Sequence, residues 1–600
     1  MGEEEQRRAI RGLLAIIAGV SVLMAFHAVG LVFLQGWALD LGSLQLPAPR
    51  HGVFLLLWTT LGAAATAAIA IGLALRLDPD AVKIGGTDRQ WLIGGSVAAL
   101  VVPALIHLYV LGGLPLTDDD SAYRLSAELL ASGRLTADSH PLKLFFDRAF
   151  VINDGRLYTQ YFLGWPALLA PFAAVGLAGA ANPVYAALTV PALFGVLRRA
   201  AGPLAARIGV LLFVSSPMMM IAAATGMSHT SCVMALAWCA WAALRSAEDD
   251  APWWVHGVVG GAFALAFFIR PLSALGAGLP LLAWWAWHLR GRSGWWRAGL
   301  AFALPSGLLA AAFFAVNAAQ NGSPLTVSYQ AMVHYAADNG YRFSQFRPDT
   351  DVQMAGFRFY GPVYMMATQA IAAVRLNHAL LGWPLSLMLV PLAFGDRRVA
   401  LLHASWISFF MFSAFQYESG VDSFGPVHYF EAGLGLLACT AVGAATLHRR
   451  LANLGGWASG FGVALVFASV GCAVVGYLPV RLHNVARIAG DVGAPFAAVE
   501  DAGLERAVVF APRPFAPGCR SDPTRHWVFW RPNNDPDNTN PILWVNHVDV
   551  SANRELMQHF PDRPGFVMVW DEACDVQLLP LDELGPDDVP PANQVLAPTG

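Results

Sequence analysis

The sequence predicts an α-helical polytopic membrane protein of about 13 transmembrane helices, with a small C-terminal α+β domain outside the bilayer. Three observations predict it. Of 600 residues, 56% are hydrophobic and only 13% charged, where a water-soluble chain carries about a quarter charged. Apolar runs of membrane-crossing length, roughly 20 residues, recur from the N-terminus to about residue 479. Beyond residue 480 Asp, Asn, Pro and Arg rise and no run is long enough to span. The formal net charge of -4 and the absence of a long basic run argue against a nucleic-acid partner.

The runs lie near 9–35, 52–75, 91–113, 183–197, 204–222, 229–244, 253–269, 273–289, 297–316, 379–395, 399–417, 427–447 and 457–479. Their Gly, Ala and Trp suit close helix packing and interfacial anchoring. Arg7, Arg8 and Arg11 precede the first run as in a signal peptide. That run is too long for a cleaved leader's apolar core and is read as a retained anchor.

Arginines set the orientation. If the apolar stretch 162–178 is a partial or juxtamembrane element, seven basic clusters fall on one side. They are Arg7/Arg8/Arg11, Arg76/Lys83/Arg89, Arg198/Arg199/Arg207, Arg245, Arg290/Arg292/Arg297, Arg397/Arg398 and Arg449/Arg450. The positive-inside rule makes that side the cytoplasm. The expectation is a multi-pass protein of the plasma (inner) membrane with its N-terminus cytoplasmic. The loops 36–51, 114–182, 317–378 and 418–426 and the tail then face outward. The chain divides into a transmembrane hairpin (1–90), a transmembrane region bearing the two large outer loops (91–480) and a soluble extracytoplasmic domain (481–600).

In that tail Ala507–Phe510, Ile542–Val545 and Phe566–Trp570 read as strands, and Ser551 as the cap of a short helix ended by Phe560-Pro561. Cys232, Cys239, Cys439 and Cys472 fall within predicted spans as inert thiols. Cys519 and Cys574 share the outer domain, and their pairing stays open because sequence carries no distances.

The densest chemistry is in the first large loop. Thr117 or Asp118 can cap a helix whose first turn holds Asp118, Asp119 and Asp120 and whose stop is Gly133. Ala122, Leu125 and Leu129 form a narrow apolar stripe, predicting a helix on the membrane surface. Three adjacent carboxylates exceed what capping needs. Their repulsion favours a site that raises a carboxyl pKa, recruits a cation or handles a proton. Downstream, Asn153-Asp154-Gly155-Arg156 predicts a tight turn between short strands, so the loop is ordered.

These residues resemble the GT-C superfamily of membrane glycosyltransferases, in the branch of protein O-mannosyltransferases and aminoarabinose transferases. The resemblance rests on Asp119, Asp120, Tyr123, Ala127 and Gly133. It extends to Tyr161, Gly164, Trp165 and Pro166, to Arg270-Pro271, to Asn317 with Gly322-Ser323-Pro324, and to Gly425-Pro426-Val427-His428-Tyr429. It implies Asp119 as catalytic carboxylate and Asp120 as its acidic neighbour, with Asp118 a helix cap. A second acidic motif common in the family is missing, and Thr225-Gly226-Met227-Ser228-His229 stands there. That leaves a divalent cation an open question.

The activity so implied is transfer of a hexosyl or pentosyl unit from a polyprenyl-phosphate donor to a lipid, glycan or protein acceptor at the outer face. Deprotonating the acceptor needs a carboxylate within reach, and a departing phosphate needs cations. Arg124, His229, Arg270, His428, Tyr429 and Glu431 are the expected substrate-binding residues. Each also has a structural reading: Arg270 snorkelling to headgroups, the histidines as packing residues. The acids Glu418 and Asp422 flank His428, and the Trp pairs 253–254, 284–285 and 295–296 read as interface belts. A transporter or flippase of a lipid-linked sugar or other polar substrate is the alternative. It would place ionisable residues near mid-span, where acids are almost absent here.

Overall fold

The computed structural model describes residues 3–34, 49–76, 84–338, 362–383, 386–414, 425–454, 456–512, 532–571 and 575–589. Glu418, Asp422, Cys519 and Cys574 lie outside them. The protein is mostly helical. α1 (Glu3–Leu34) and α2 (Pro49–Arg76) form a hairpin, and α3 (Asp88–Tyr109) opens the main bundle behind a Thr87/Gln90 capping box. After α4 (Asp118–Ala131), strands β1 (Ala137–Asp138), β2 (Val151–Asp154) and β3 (Arg156–Thr159) make a small antiparallel sheet in the order β1-β3-β2. Gly155, at φ +68°, closes the hairpin with Val151 opposite Thr159, the turn that Asn153-Asp154-Gly155 predicts.

The bundle continues through α5 (Gly164–Ala173), α6 (Ala181–Ala201), α7 (Pro203–Ser215), α8 (Pro217–Ala224), α9 (His229–Ser246), α10 (Trp254–Ile269) and α11 (Pro271–Leu289). It is completed by α12 (Trp295–Asn321), α13 (Ser328–Asp338), α14 (Pro362–Ala379), α15 (Arg397–Ser413), α16 (Phe430–Ala452) and α17 (Gly456–Gly471). A π-helical turn (Cys472–Tyr477) joins α17 to α18 (Leu478–Asp501).

Among the described residues, five helices are long and apolar enough to cross a membrane, or six if α7 and α8, bent by 54°, make one broken span. The five are Asp88–Tyr109, Ala178–Ala201, Trp295–Asn321, Val427–Ala452 and Trp457–Asp501. Several other expected crossings are shorter. α7, α10 and α15 hold 13, 16 and 17 residues, which at 1.5 Å each is short of a ~30 Å hydrocarbon core. Prolines 203 and 271 begin new helices in the gaps between expected runs, whereas Pro217 starts α8 inside the run 204–222, which the sequence pattern carries through. α5, inside the stretch 162–178, has 10 residues and extends about 15 Å, half a bilayer.

Two elements differ from expectation. The run 379–395 is not one helix: α14 ends at Ala379, Gly382 turns at φ +65°, and a 3-10 turn occupies Ser386–Leu392. The last helix also continues to Asp501, well past the expected end at 479. The C-terminal strands appear where expected, as β4 (Ala507–Ala511), β5 (Ile542–Asn546) and β6 (Gly565–Trp570), with β7 (Val576–Pro580) added. Their order is β5-β4-β6-β7, with β4 parallel to β5 and β6, and β7 antiparallel. α19 (Val550–Met557) is capped by Asp549, whose side chain accepts from the Ala552 N–H, not by Ser551.

Two cores meet around this sheet. One face carries Val509, Trp544 and Met568 into the bundle core with Val485, Val492 and Val499 of α18. The other packs Val508, Phe510, Val545 and Val567 against Phe145 and Phe146 of the loop 114–182.

Candidate active site

Thr117 is the N-cap of α4: it is extended (φ -134°, ψ 155°) and its hydroxyl accepts from the Asp120 N–H. Of the two caps the sequence offers, Thr117 takes the role, and Asp118 is the first helical residue. The apolar stripe of α4 is covered within the protein. Leu125 and Leu129 pack with Ala137 and Val151 under the small sheet, and Ala122 enters the main core.

One turn along, the three aspartates diverge. Asp120 is 2% exposed; its Oδ2 accepts the Gly226 N–H at 3.0 Å and its Oδ1 the Arg124 Nε–H at 3.3 Å. A Cβ on Gly226 would come within 1.9 Å of that carboxylate, so only glycine allows the approach. Arg124, also near the Gly113 carbonyl at 3.5 Å, is thereby committed to Asp120. Asp119 is partly exposed and accepts from the Tyr161 hydroxyl. Burial raises its carboxyl above the ordinary range, against the lowering effects of the Tyr161 hydrogen bond and the nearby Arg270 charge. Burial likewise raises Tyr123, Tyr161 and Tyr329, which stay protonated donors. The Tyr161 ring centre is 4.4 Å from that of Tyr123 and 5.7 Å from that of Tyr329.

The turn from Thr225 to Ser228, between α8 and α9, is held from every side. Trp165 Nε1 donates to the Gly226 carbonyl at 2.7 Å, and Asn182 Nδ2 to those of Thr225 and Met227, each at 2.7 Å. Its last residue is a junction: Ser228 Oγ lies 3.0 Å from the Tyr123 hydroxyl and accepts from Arg270 Nη1 at 3.2 Å.

Arg270 stands where α10 stops and Pro271 starts α11. A residue before proline is driven from helical to extended backbone, and Arg270 has φ -145° and ψ 88°. Its Nε reaches Glu431 Oε1 at 3.0 Å, and His229 Nδ1 donates to the same oxygen at 3.1 Å. The side chains of His229 and Glu431 are 1% and 0% exposed. Among the described residues Glu431 Oε2 has no hydrogen-bond partner. Glu431 is also the one charged residue in the wall of a narrow cavity of about 30 Å³, otherwise lined by residues such as Leu193, Leu236, Leu281 and Leu402.

The structure thus brings Asp119, His229, Arg270 and Glu431 into one network through Tyr123, Tyr161 and Ser228. Tyr429 is elsewhere: fully buried, it meets the Gln369 amide at 2.6 Å and packs its ring 5.2 Å from Phe410. His428 is half-buried in the 3-10 turn Val427–Tyr429 that leads into α16. Among the described residues no three His, Cys, Asp or Glu side chains are grouped to share a metal ion. Asp120 and His229, the acids' neighbour and its counterpart on the turn, are committed to protein partners, so this donor set does not fit a metal. Ser228 and Tyr329 were not singled out from sequence. Ser228 stands one residue from a histidine that was, and Tyr329, in α13, belongs to the stretch 317–378, where no local motif marks it.

No protein-family model matches the chain, and no curated protein matches its sequence. In fold it is similar to ArnT from Cupriavidus metallidurans bound to undecaprenyl phosphate, at 14% identity and TM-score 0.47 over 81% of this chain and 94% of that one. It is also similar to the arabinofuranosyltransferase AftD from Mycobacteria, at 15% identity and TM-score 0.41 over 79% of this chain and 33% of that one. The apo oligosaccharyltransferase of Archaeoglobus fulgidus matches at 12% identity and TM-score 0.36, over 66% and 56% of the two chains.

Proposed function

We propose that this chain is a membrane glycosyltransferase that moves a sugar from a polyprenyl-phosphate donor to an acceptor at the outer face, with inversion. The observation that carries the reading is the linkage of Asp119 to Arg270 through Tyr161, Tyr123 and Ser228. A carboxylate with a raised pKa and a clamped guanidinium share one electrostatic field where a membrane helix pair breaks.

The chemistry balances on these groups. An acceptor oxygen attacks the anomeric carbon from the face opposite the phosphate, and its proton passes to Asp119. The anomeric C–O bond breaks with its electron pair on the phosphate oxygen. Arg270 offsets that charge, held in place by Glu431 and Ser228. The Tyr161 hydroxyl orients the base. Arg124 serves the site through Asp120 rather than through substrate.

Transfer of labelled sugar from a panel of polyprenyl-phosphate donors by the purified protein tests this. Asp119→Asn should lower the rate by roughly 10²–10⁴-fold, the usual contribution of a general base, in a protein that remains folded. Full activity in that variant would remove the base assignment.

One observation favours a second reading, a flippase or transporter. Glu431, buried on a membrane helix with one oxygen unsatisfied beside a cavity, is the kind of intramembrane acid that transporters use. Donor-lipid translocation in proteoliposomes without transfer in any donor assay would select it.

A further inference from the structure

The loop 114–182 holds a cation that the proposed reaction leaves unused. Arg148 lies between the 3-10 turn Lys143–Phe145 and β2. Among the described residues its guanidinium makes no hydrogen bond and no ion pair, and Nη2 is fully enclosed. Arg148 is half-buried, and an enclosed guanidinium donor without an acceptor is a state that folded proteins avoid unless something else supplies one.

Its surroundings are equally specific. Asp118 and Glu128 of α4 are the charges acting on it, without reaching ion-pair contact. Asn533 Nδ2 donates to Glu128 Oε2 at 3.4 Å from the C-terminal segment. Two residues on, Phe150 adopts φ +61°, a left-handed backbone that a bulky aromatic residue rarely takes. The Gln160 N–H holds it by donating to the Phe150 carbonyl at 2.9 Å, and the Phe150 ring centre lies 5.8 Å from that of Tyr161, the residue bound to Asp119.

We propose that Arg148, Asp118, Glu128 and the ring of Phe150 form a subsite for a neutral sugar ring of the acceptor, beside Asp119. Ring hydroxyls accept and donate at once, which satisfies an arginine donor and a carboxylate acceptor within one ligand. The apolar face of the ring meets the aromatic side chain. An anionic ligand fits less well, because two carboxyl groups surround the single cation. The ligand's role as acceptor rests on the glycosyltransferase reading; the existence of the subsite does not.

The test uses the full chain in lipid nanodiscs containing polyprenyl phosphate, so that the Arg270 side of the site is filled. The probes are a panel of neutral oligosaccharides, their phosphorylated counterparts and Ser/Thr peptides. Wild type should bind neutral oligosaccharides. Arg148→Gln should weaken that binding about tenfold or more, the loss of a charged donor, and Asp118→Asn should weaken it too. The thermal midpoint of Arg148→Gln should be unchanged or higher, since an unsatisfied buried charge is removed; a structural arginine would show the reverse. Equal oligosaccharide binding by Arg148→Gln, binding of phosphorylated glycans or peptides alone, or a lowered midpoint would overturn the subsite. Oligosaccharide binding by a wild type that transfers from no donor would leave the subsite standing and remove the transferase reading.

Discussion

Asp119 and Asp120 are adjacent in the chain and opposite in circumstance. Asp120 is enclosed and holds the Gly226 N–H and Arg124, whereas Asp119 is partly exposed with a carboxyl pKa raised chiefly by burial. A base works in its charged form, so activity should rise with pH through that raised value, placing the acid limb of kcat/KM above the ordinary aspartate range. Tyr161 opposes the shift by donating to the carboxylate. Tyr161→Phe should therefore move the limb to higher pH and lower transfer at neutral pH. A limb that stays in place would take Asp119 out of the rate. The stability sign is the converse. Between the ordinary and the raised pKa the folded state binds more protons than the unfolded chain, so stability falls as pH rises through that window. Asp119→Asn should flatten this slope in thermal midpoints measured against pH.

Two stretches that are far apart in the chain, α9–α11 and α16, meet at Glu431. Its Oε1 pairs with the guanidinium of Arg270, at the α10–α11 break, and takes a hydrogen bond from His229, at the start of α9, while Glu431 opens α16. Removing one member strands the others, and breaking a buried pair costs about 3–5 kcal/mol. Glu431→Ala should therefore cost about that much in a denaturant or thermal titration, and Arg270→Met/Glu431→Met together should cost less than the sum of the single changes. Stability should recover in the double variant and transfer should not, because the cation is gone. Additive costs would show that the pair is not coupled. Much of this neighbourhood was legible in local sequence. The Thr117 cap region, Gly133 and Asn153-Asp154-Gly155 place α4 and the hairpin, because caps and turns are decided within a few residues. The network was legible only as a set of candidates. Arg270, His229 and Glu431 each look like lone polar groups at helix ends, and their pairing depends on which helices pack together. The cover over α4 is illegible for the same reason: it includes Asn533, some four hundred residues later. The run 379–395 misled because apolar composition reports burial and not length of helix, and Gly382 breaks it.

The same long-range dependence organises the molecule. The C-terminal sheet is built into the first large loop: Phe145 and Phe146 complete its core, and Asn546 Nδ2 donates to the Leu144 and Asp147 carbonyls at 2.7 and 2.6 Å. The segment before β5 grips α4, where Ser121 and Asn533 exchange hydrogen bonds at 3.1 Å each and Arg134 pairs with Asp537 at 2.9 Å. These contacts are unequal. Asp537 is 64% exposed and Arg134 37%, so solvent screening leaves that pair little to contribute. Phe145 is 4% exposed against Phe510, with ring centres 6.0 Å apart, and its truncation should leave a cavity worth about 3–5 kcal/mol. Asp537→Asn should accordingly leave both thermal stability and transfer near wild type. Phe145→Ala should loosen the sheet against the loop, speed amide exchange in α4 and lower transfer, though it touches none of the reacting groups. Faster exchange confined to the sheet, with α4 and transfer unchanged, would mean that the C-terminal sheet is an appendage; slowed chemistry with faster exchange in both would make it part of the frame that aims Asp119.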